Sequence, residues 1–403
     1  MGLLNVYGQR INIQITLPRK NGDGVVTFIT GWMVERNGKI IASDSLGDMN
    51  IAPRTTRSYK IEAAPVGYTT LNISAKTNKA TEWAEIGTEV AARQFIISDE
   101  IESSTEMLGA LLTEGEHDYT VAFGENTVKI GKSSGLIESL ISEGRELVCA
   151  PVSPTIWRAP TDNDRNIKNQ WYKYNFDKLS PDCRETSAEI LADCVKIRAS
   201  LVLASAPKIP VIRMNLVYTV SEGMGISVEC NATVAENLPP LPRFGFKVRM
   251  PEDAEDVRYF GYGPYEAYED KRLASRVGLF KTTATKNFEH YVRPQENSAH
   301  CGCKWADVTT AYGQGLYFSA EKFSLSVSHF TPEYLTVTAH DYELVPEHET
   351  TVIIDYRNAG IGSNSCGPEL NPKYRISESE INFKFNIKPH FTGNVSPFDE
   401  YVK

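Results

Sequence analysis

Apolar residues at every second position, repeated along most of the chain, constrain the fold more than any other feature of this sequence. Val195, Ile197, Ala199, Leu201 and Leu203 form one stripe; Ile212, Met214, Leu216, Tyr218 and Val220 form the next. Ile226, Val228, Cys230, Ala232 and Val234 form a third. The same alternation runs through Ile11, Ile13, Ile15 and Leu17, and through Thr69, Leu71, Ile73 and Ala75. Later it recurs at Phe244, Phe246 and Val248, at Leu325, Val327 and His329, at Leu335, Val337 and Ala339, and at Phe383, Phe385 and Ile387. Successive side chains of a strand point to opposite faces, so each stripe predicts a strand with one face in a core. Turn-sized segments such as Ser221-Glu222-Gly223 and Ala204-Ser205-Ala206-Pro207 separate the stripes, which predicts a long antiparallel system. Helical patterning is sparse: residues 166–177, around Trp171, are the best candidate, opened by the N-cap-like run Asp162-Asn163-Asp164. Strands and helices do not alternate, so no (β/α)₈ barrel is encoded. The expected class is all-β.

The 403 residues are 41% hydrophobic, enough for two or three cored domains. A net charge of −9 argues against nucleic acid and anionic membranes as partners, since both need a basic face. No run approaches the roughly 18 apolar residues of a membrane span, and Met1-Gly2-Leu3-Leu4-Asn5-Val6 lacks the marks of a signal peptide. Seven scattered cysteines, an odd number, predict a reduced protein of the cytoplasm rather than a disulfide framework. The acidic run Ser98-Asp99-Glu100 marks a boundary. The expected organisation is a sandwich of about seven short strands over residues 1–97, a linker over 98–117, one large β domain over 118–390 and a tail over 391–403.

Four stretches carry a family resemblance. They are Trp157-Arg158-Ala159-Pro160-Thr161-Asp162-Asn163-Asp164, the run from Gly261-Tyr262-Gly263-Pro264 to Asp270-Lys271, Tyr291-Val292-Arg293-Pro294-Gln295-Glu296-Asn297, and the run from Gly360-Ile361-Gly362 to Glu369-Leu370. In this order they resemble the small-chain domain of glycoside hydrolase family 2 β-galactosidases, a galactose-mutarotase-like β-supersandwich. Upstream, Gly31-Trp32-Met33-Val34, Ile51-Ala52-Pro53 and Thr81-Glu82-Trp83-Ala84 are similar to the immunoglobulin-like domain that precedes it.

The resemblance implies a part of a β-galactosidase without its catalytic groups. Retaining glycosidases use two carboxylates about 5 Å apart; in this family both lie on barrel strands, the acid/base within an Asn-Glu pair, and no Asn-Glu dipeptide occurs here. Glu266 and Glu296 are read as carboxylates that order turns or pair with arginine. No metal is expected in this chain, because the family's divalent ion belongs to the barrel region. The implied contribution is two substrate-proximal loops: a flap carrying Arg158, Asp162, Asn163 and Asp164, and a loop carrying Tyr356, Arg357, Asn358, Ser363 and Asn364. Pro160 biases Ala159 to extended backbone, and Asx side chains suit a turn. The family's stacking tryptophan has no counterpart in Thr351-Val352-Ile353-Ile354, which leaves Tyr356 or a residue of another domain to supply any stacking. The implied partners are the catalytic barrel and a galactoside, with a homo-oligomer also open and an apolar contact surface expected. A stand-alone carbohydrate-binding module is the alternative, and a mutarotase ranks behind it for want of a histidine motif. His300, Cys301 and Cys303 are expected to be buried on a strand with both thiols on one face, and Tyr259, Tyr262, Tyr265 and Tyr268 to pack a junction.

Overall fold

The structure, a computed structural model, describes residues 4–7, 10–16, 28–48, 56–100, 107–205 and 210–393. Leu17, Ile51-Ala52-Pro53, Ala206-Pro207 and the tail beyond Gly393 lie outside them. The chain divides after Ser103 into two compact units. In the first, Lys39–Asp48, Phe28–Arg36, Thr69–Thr77 and Glu89–Ser98 form an antiparallel sheet, and Leu4–Tyr7, Arg10–Thr16 and Thr56–Glu62 form a second. Asn37 and Gly38 join two strands with φ of 53° and 73°, the left-handed pair that a tight hairpin requires. Ile61 from the smaller sheet packs with Val34 and Leu71 of the larger, beside Trp32 and Phe95.

In the second unit the long strand Gln314–Ser328 acts as a spine. One edge pairs along its length with His300–Thr309, which leads on to Asp256–Gly263 and Arg276–Thr283. Its other edge changes partner midway. Residues 314–320 pair with Glu380–Phe391, and from there the sheet runs through Gly225–Val234, Ile212–Ser221, Val195–Ala204 and Ser180–Ile190. Residues 324–328 pair instead with Glu349–Asn358, followed by Arg243–Pro251 and Ala150–Thr155. The result is a branched twelve-stranded sheet. A five-stranded meander, from Leu111–Glu114 to Arg145–Glu146, packs with it, so residues 111–114 of the expected linker are an edge strand.

One apolar core joins the two sheets. Val121, Val128 and Leu140 of the meander meet Ile197, Leu201 and Leu216 of the large sheet, and the Tyr218 hydroxyl donates to Gly135 O at 2.9 Å across the layers. The alternation in residues 195–234 and 381–387 therefore falls on buried positions, as the period of two requires. Two local readings differ from the structure. Leu335, Val337 and Ala339 do not form a strand: Pro332–Val337 is a short helix, with Thr331 accepting from Tyr334 N and a proline in its first turn. The expected helix over 166–177 is Lys168–Lys173 followed by the 3₁₀ turn Phe176–Lys178, because Asn175 takes φ 56° and ends the α-helix.

The helix makes Leu335 inward (5% exposed) and Val337 outward (79%), where a strand would place both on one face. Leu335→Ala should lower the unfolding free energy by about 2–5 kcal/mol, and Val337→Ala should change it by less than about 0.5 kcal/mol. Urea unfolding of both variants checks this; comparable losses would show that 332–337 is not helical.

Candidate functional site

The flap motif begins as strand Ala150–Thr155 leaves the sheet. The run Asp162–Asp164 is itself a 3₁₀ turn, and the capping position belongs to Thr161. Asp164 Oδ2 accepts from Thr161 N at 3.0 Å and from Thr161 Oγ1 at 3.1 Å, which closes the turn. Arg158 is fully buried beneath it. Its Nη2 donates to Asp164 Oδ1 at 2.8 Å and its Nε to Oδ2 at 3.2 Å, while Nη1 reaches Asn358 Oδ1 at 2.9 Å and Ala359 O at 2.6 Å. The guanidinium lies 5.6 Å over the ring of Trp171, whose indole N–H donates to Pro240 O. The short α-helix thus supplies the floor on which the flap is held.

The second predicted loop leaves the end of strand Glu349–Asn358 and is tied to the first. Besides Asn358 and Ala359, Gly360 O accepts from Arg158 Nη2, and Asn163 Nδ2 donates to Ile361 O. Asp270 holds the other side, accepting from Ile361 N at 3.0 Å and Gly362 N at 2.7 Å. A Cβ at Gly360 would sit 2.7 Å from the Asp270 carboxyl carbon, so glycine is needed there for close approach.

A third segment, the Gln295-Glu296-Asn297 motif, joins both. Gln295 Oε1 accepts from Asp162 N at 2.9 Å, and Glu296 N donates to Ala159 O at 3.0 Å. Glu296 Oε1 accepts from Asn358 Nδ2 at 2.9 Å, and its Oε2 from Arg243 Nη1 at 3.2 Å. Arg243 in turn forks onto Asp355, Nη2 to Oδ2 at 2.6 Å and Nε to Oδ1 at 3.1 Å. One buried polar chain, Asp164–Arg158–Asn358–Glu296–Arg243–Asp355, therefore links three of the four family-like motifs to the sheet. Glu266 orders the same segment from outside, accepting from Ser298 N and the Tyr291 hydroxyl at 2.9 and 3.0 Å.

Other predicted residues stand apart. Asp162 and Asn163 reach partly to the surface, as do Ser363 and Asn364. Arg357 points away to Glu378 and Lys373 O, and the half-buried Tyr356 ring meets Phe383 edge-on at 6.1 Å. Thr351, Val352, Ile353 and Ile354 are all buried in the sheet, and Thr351 and Ile353 line the small cavity beside Arg243 and Glu296. Tyr259 and Tyr268 are buried, Tyr262 lies under Arg272 at 4.8 Å, and Tyr265 is exposed. A bulge at Gly302, φ 66°, breaks the expected strand alternation between Cys301 and Cys303, although both are buried. Cys303 Sγ donates to His300 O at 3.2 Å, and His300 Nε2 faces Asn287 Oδ1 at 2.8 Å. Among the described residues no three His, Cys, Asp or Glu side chains converge as a metal site. Asp270 and Arg243 were not singled out as site residues by the sequence; the signal for Asp270 was its place at the end of a recognised motif.

The cluster contains Asp164, Glu296 and Asp355 against Arg158 and Arg243, one carboxylate in excess. Burial, with Glu296 adding to it and Arg243 opposing, pushes Asp355 up to about 6. A folded pKa above the unfolded value of 3.8 means the group's contribution is full below 3.8 and is lost as pH rises through about 6. Asp355→Asn removes the excess charge at every pH. Relative to the wild type, this variant should gain stability as pH rises from about 4 to 7.5, measured by urea unfolding at each pH; a constant difference would show that Asp355 titrates alike folded and unfolded.

Comparison with known proteins agrees with these motifs. The family model described as "Beta galactosidase small chain" matches residues 123–387, and that described as "Beta-galactosidase, domain 4" matches residues 26–98. A β-galactosidase of Actinobacillus pleuropneumoniae is 33% identical over 327 residues, which is 79% of this chain and 32% of the relative. One of Staphylococcus xylosus is 32% identical over 279 residues, 69% of this chain and 28% of the relative. The chain spans about a third of the length of these curated relatives. A solved putative aldose 1-epimerase of Escherichia coli K12, 10% identical, overlays 70% of this chain and all of its own length with a TM-score of 0.38. On the small-chain match, which covers most of its residues and all of the buried cluster, the chain belongs to the β-galactosidase small-chain family.

Proposed function

We propose that this chain is the non-catalytic part of a β-galactosidase and takes part in hydrolysing terminal β-D-galactosides when joined to a catalytic barrel. The observation that supports it is the small-chain match over residues 123–387, taken with relatives that are β-galactosidases about three times as long as the matched part. The chemistry points the same way. Asp164, Glu296 and Asp355 are buried against arginines, so none is placed as a free acid or nucleophile. On this reading the chain's contribution is two pocket-edge loops, with Asp162, Asn163, Ser363 and Asn364 as their outward groups, and any divalent ion belongs to the barrel. All seven cysteines are unpaired, which supports a reducing, cytoplasmic setting for the enzyme; separately, no helix among the described residues is long and apolar enough to cross a membrane.

A stand-alone sugar-binding module is the alternative reading. The cavity beside Arg243, Glu296, Phe288 and Phe330 holds about 30 Å³, room for a water or two, where small-molecule pockets run to about 300 Å³ or more. A docking face for the barrel is better represented. Val292, Val337, Tyr342 and Val345 are all largely exposed, on segments joined by the bonds Asp341 N to Val292 O and Val345 N to Tyr334 Oη.

Mixing this chain with a barrel-containing part of a β-galactosidase should produce nitrophenyl-galactoside hydrolysis that neither part shows alone. Val292→Glu or Val337→Glu should weaken that assembly by about tenfold or more while leaving the isolated chain's stability within about 0.5 kcal/mol. Absence of activity on mixing, together with sub-millimolar galactose binding by this chain alone, would replace this reading with the binding-module one.

A further inference from the structure

We infer that Glu296 is a positioning residue that sets both pocket-edge loops at once, so that neither holds its place without the other. The inference rests on the reading that these loops border the galactoside site. Glu296 belongs to neither loop, yet it bonds both through separate groups: its N–H to Ala159 O in the flap and its Oε1 to Asn358 Nδ2 at the root of the second loop. Its remaining oxygen is fixed by Arg243, which the sheet strand Arg243–Pro251 carries. The segment around it is held independently. Asn297 Nδ2 donates to Gln295 O at 2.9 Å, Asn297 Oδ1 accepts from Glu289 N at 3.1 Å, and Glu266 binds Ser298 N.

The coupling passes through one amide. Asn358 gives its N–H to Glu296 and accepts Arg158 Nη1 on its oxygen, which fixes its orientation. Arg158 then carries the constraint to Asp164 in the flap and to Ala359 and Gly360 in the second loop. Removing the Glu296 acceptor frees the Asn358 amide to turn, and the Arg158 bond that depends on its orientation loosens with it. A glutamine at this position has one oxygen for two donors; the charged Arg243 takes it, and the N–H₂ is set against the Asn358 amide. An aspartate keeps the charge but is a methylene too short to reach both partners.

Hydrogen exchange of the isolated chain tests the coupling directly. In Glu296→Gln the amides of residues 158–164 and 359–362 should both exchange faster by about tenfold or more, the factor one charge-assisted hydrogen bond is worth, with Ile212–Ser221 unchanged. Glu296→Asp should show the same pairing if the glutamine variant folds poorly. The surface variant Glu229→Gln should leave both loops as in the wild type. In the reconstituted enzyme, Glu296→Gln should raise KM for the nitrophenyl-galactoside by about tenfold with kcat changed less than about threefold, the pattern of lost uniform binding; a merely destabilised chain would lower the amount of active complex and leave KM alone. If only one loop responds, or neither, Glu296 does not couple them. If both respond but the wild-type chain restores no activity, the coupling stands and the reading of the loops as a pocket edge falls.

Discussion

A buried guanidinium has five donors and cannot shed its charge, so wherever one is enclosed it dictates the acceptors around it. Arg158 and Arg243 are two such groups in this fold, both fully buried. Arg158 gathers acceptors from residues 164, 358, 359 and 360, about two hundred positions apart in the chain. Arg243 gathers Glu296, Asp355 and Ser326. The loops that surround them have the conformations that satisfy these donors. Leaving either arginine without its carboxylate would strand a charge in the interior, at a cost of about 3–5 kcal/mol.

Stability alone does not explain such an arrangement, since apolar side chains of similar volume often do as well or better. Apolar packing fills space without fixing direction. Here direction is what the geometry supplies: the Arg243–Asp355 fork orients the carboxylate chain, Asn358 is held by its two ends, and the Glu296 backbone aims at Ala159. Gly245 is part of the same solution. A Cβ there would fall 2.3 Å from Asp355 Oδ1, so the glycine beside the bulge lets the strands approach closely enough for the fork. Burial, with the Glu296 charge adding to it, makes Asp355 take up a proton more readily than an exposed carboxylate, which couples the cluster to pH.

The sheet was legible because its signal is long. Five alternating apolar residues over 195–203, matched in the next two stripes, admit little besides strands, and all fifteen positions except Val234 are buried. Three alternating residues such as Leu335, Val337 and Ala339 do not separate a strand from a helix; Thr331 and Pro332, a cap and a first-turn proline, hold the better information. The Asp162-Asn163-Asp164 run was read as a cap, and it is the turn that Thr161 caps. Arg158, Asp164 and Asn358 were chosen from motif resemblance, and the structure brings them together. Arg243 and Asp270 hold Glu296 and the Ile361 and Gly362 amides from other segments, and apart from Asp270's place at the end of a motif no local pattern announces contacts made across about fifty to ninety residues.

The two loops end differently. The flap is closed at every step: Asp162 N reaches Gln295, Asn163 reaches Ile361, and Asp164 returns to Thr161 and Arg158. The second loop is held on Asp270 as far as Gly362 and again by Arg375 at Glu369 and Leu370, with its tip between them. Beyond Gly362, Asn364 takes φ 96°, Cys366 and Gly367 are exposed, and a Cβ added at Gly367 would meet nothing within 4 Å. A rigid flap beside a loop with open space at its tip divides the work between them. The buried chain fixes the flap and the root of the second loop, and the open space lies around the tip at Gly367.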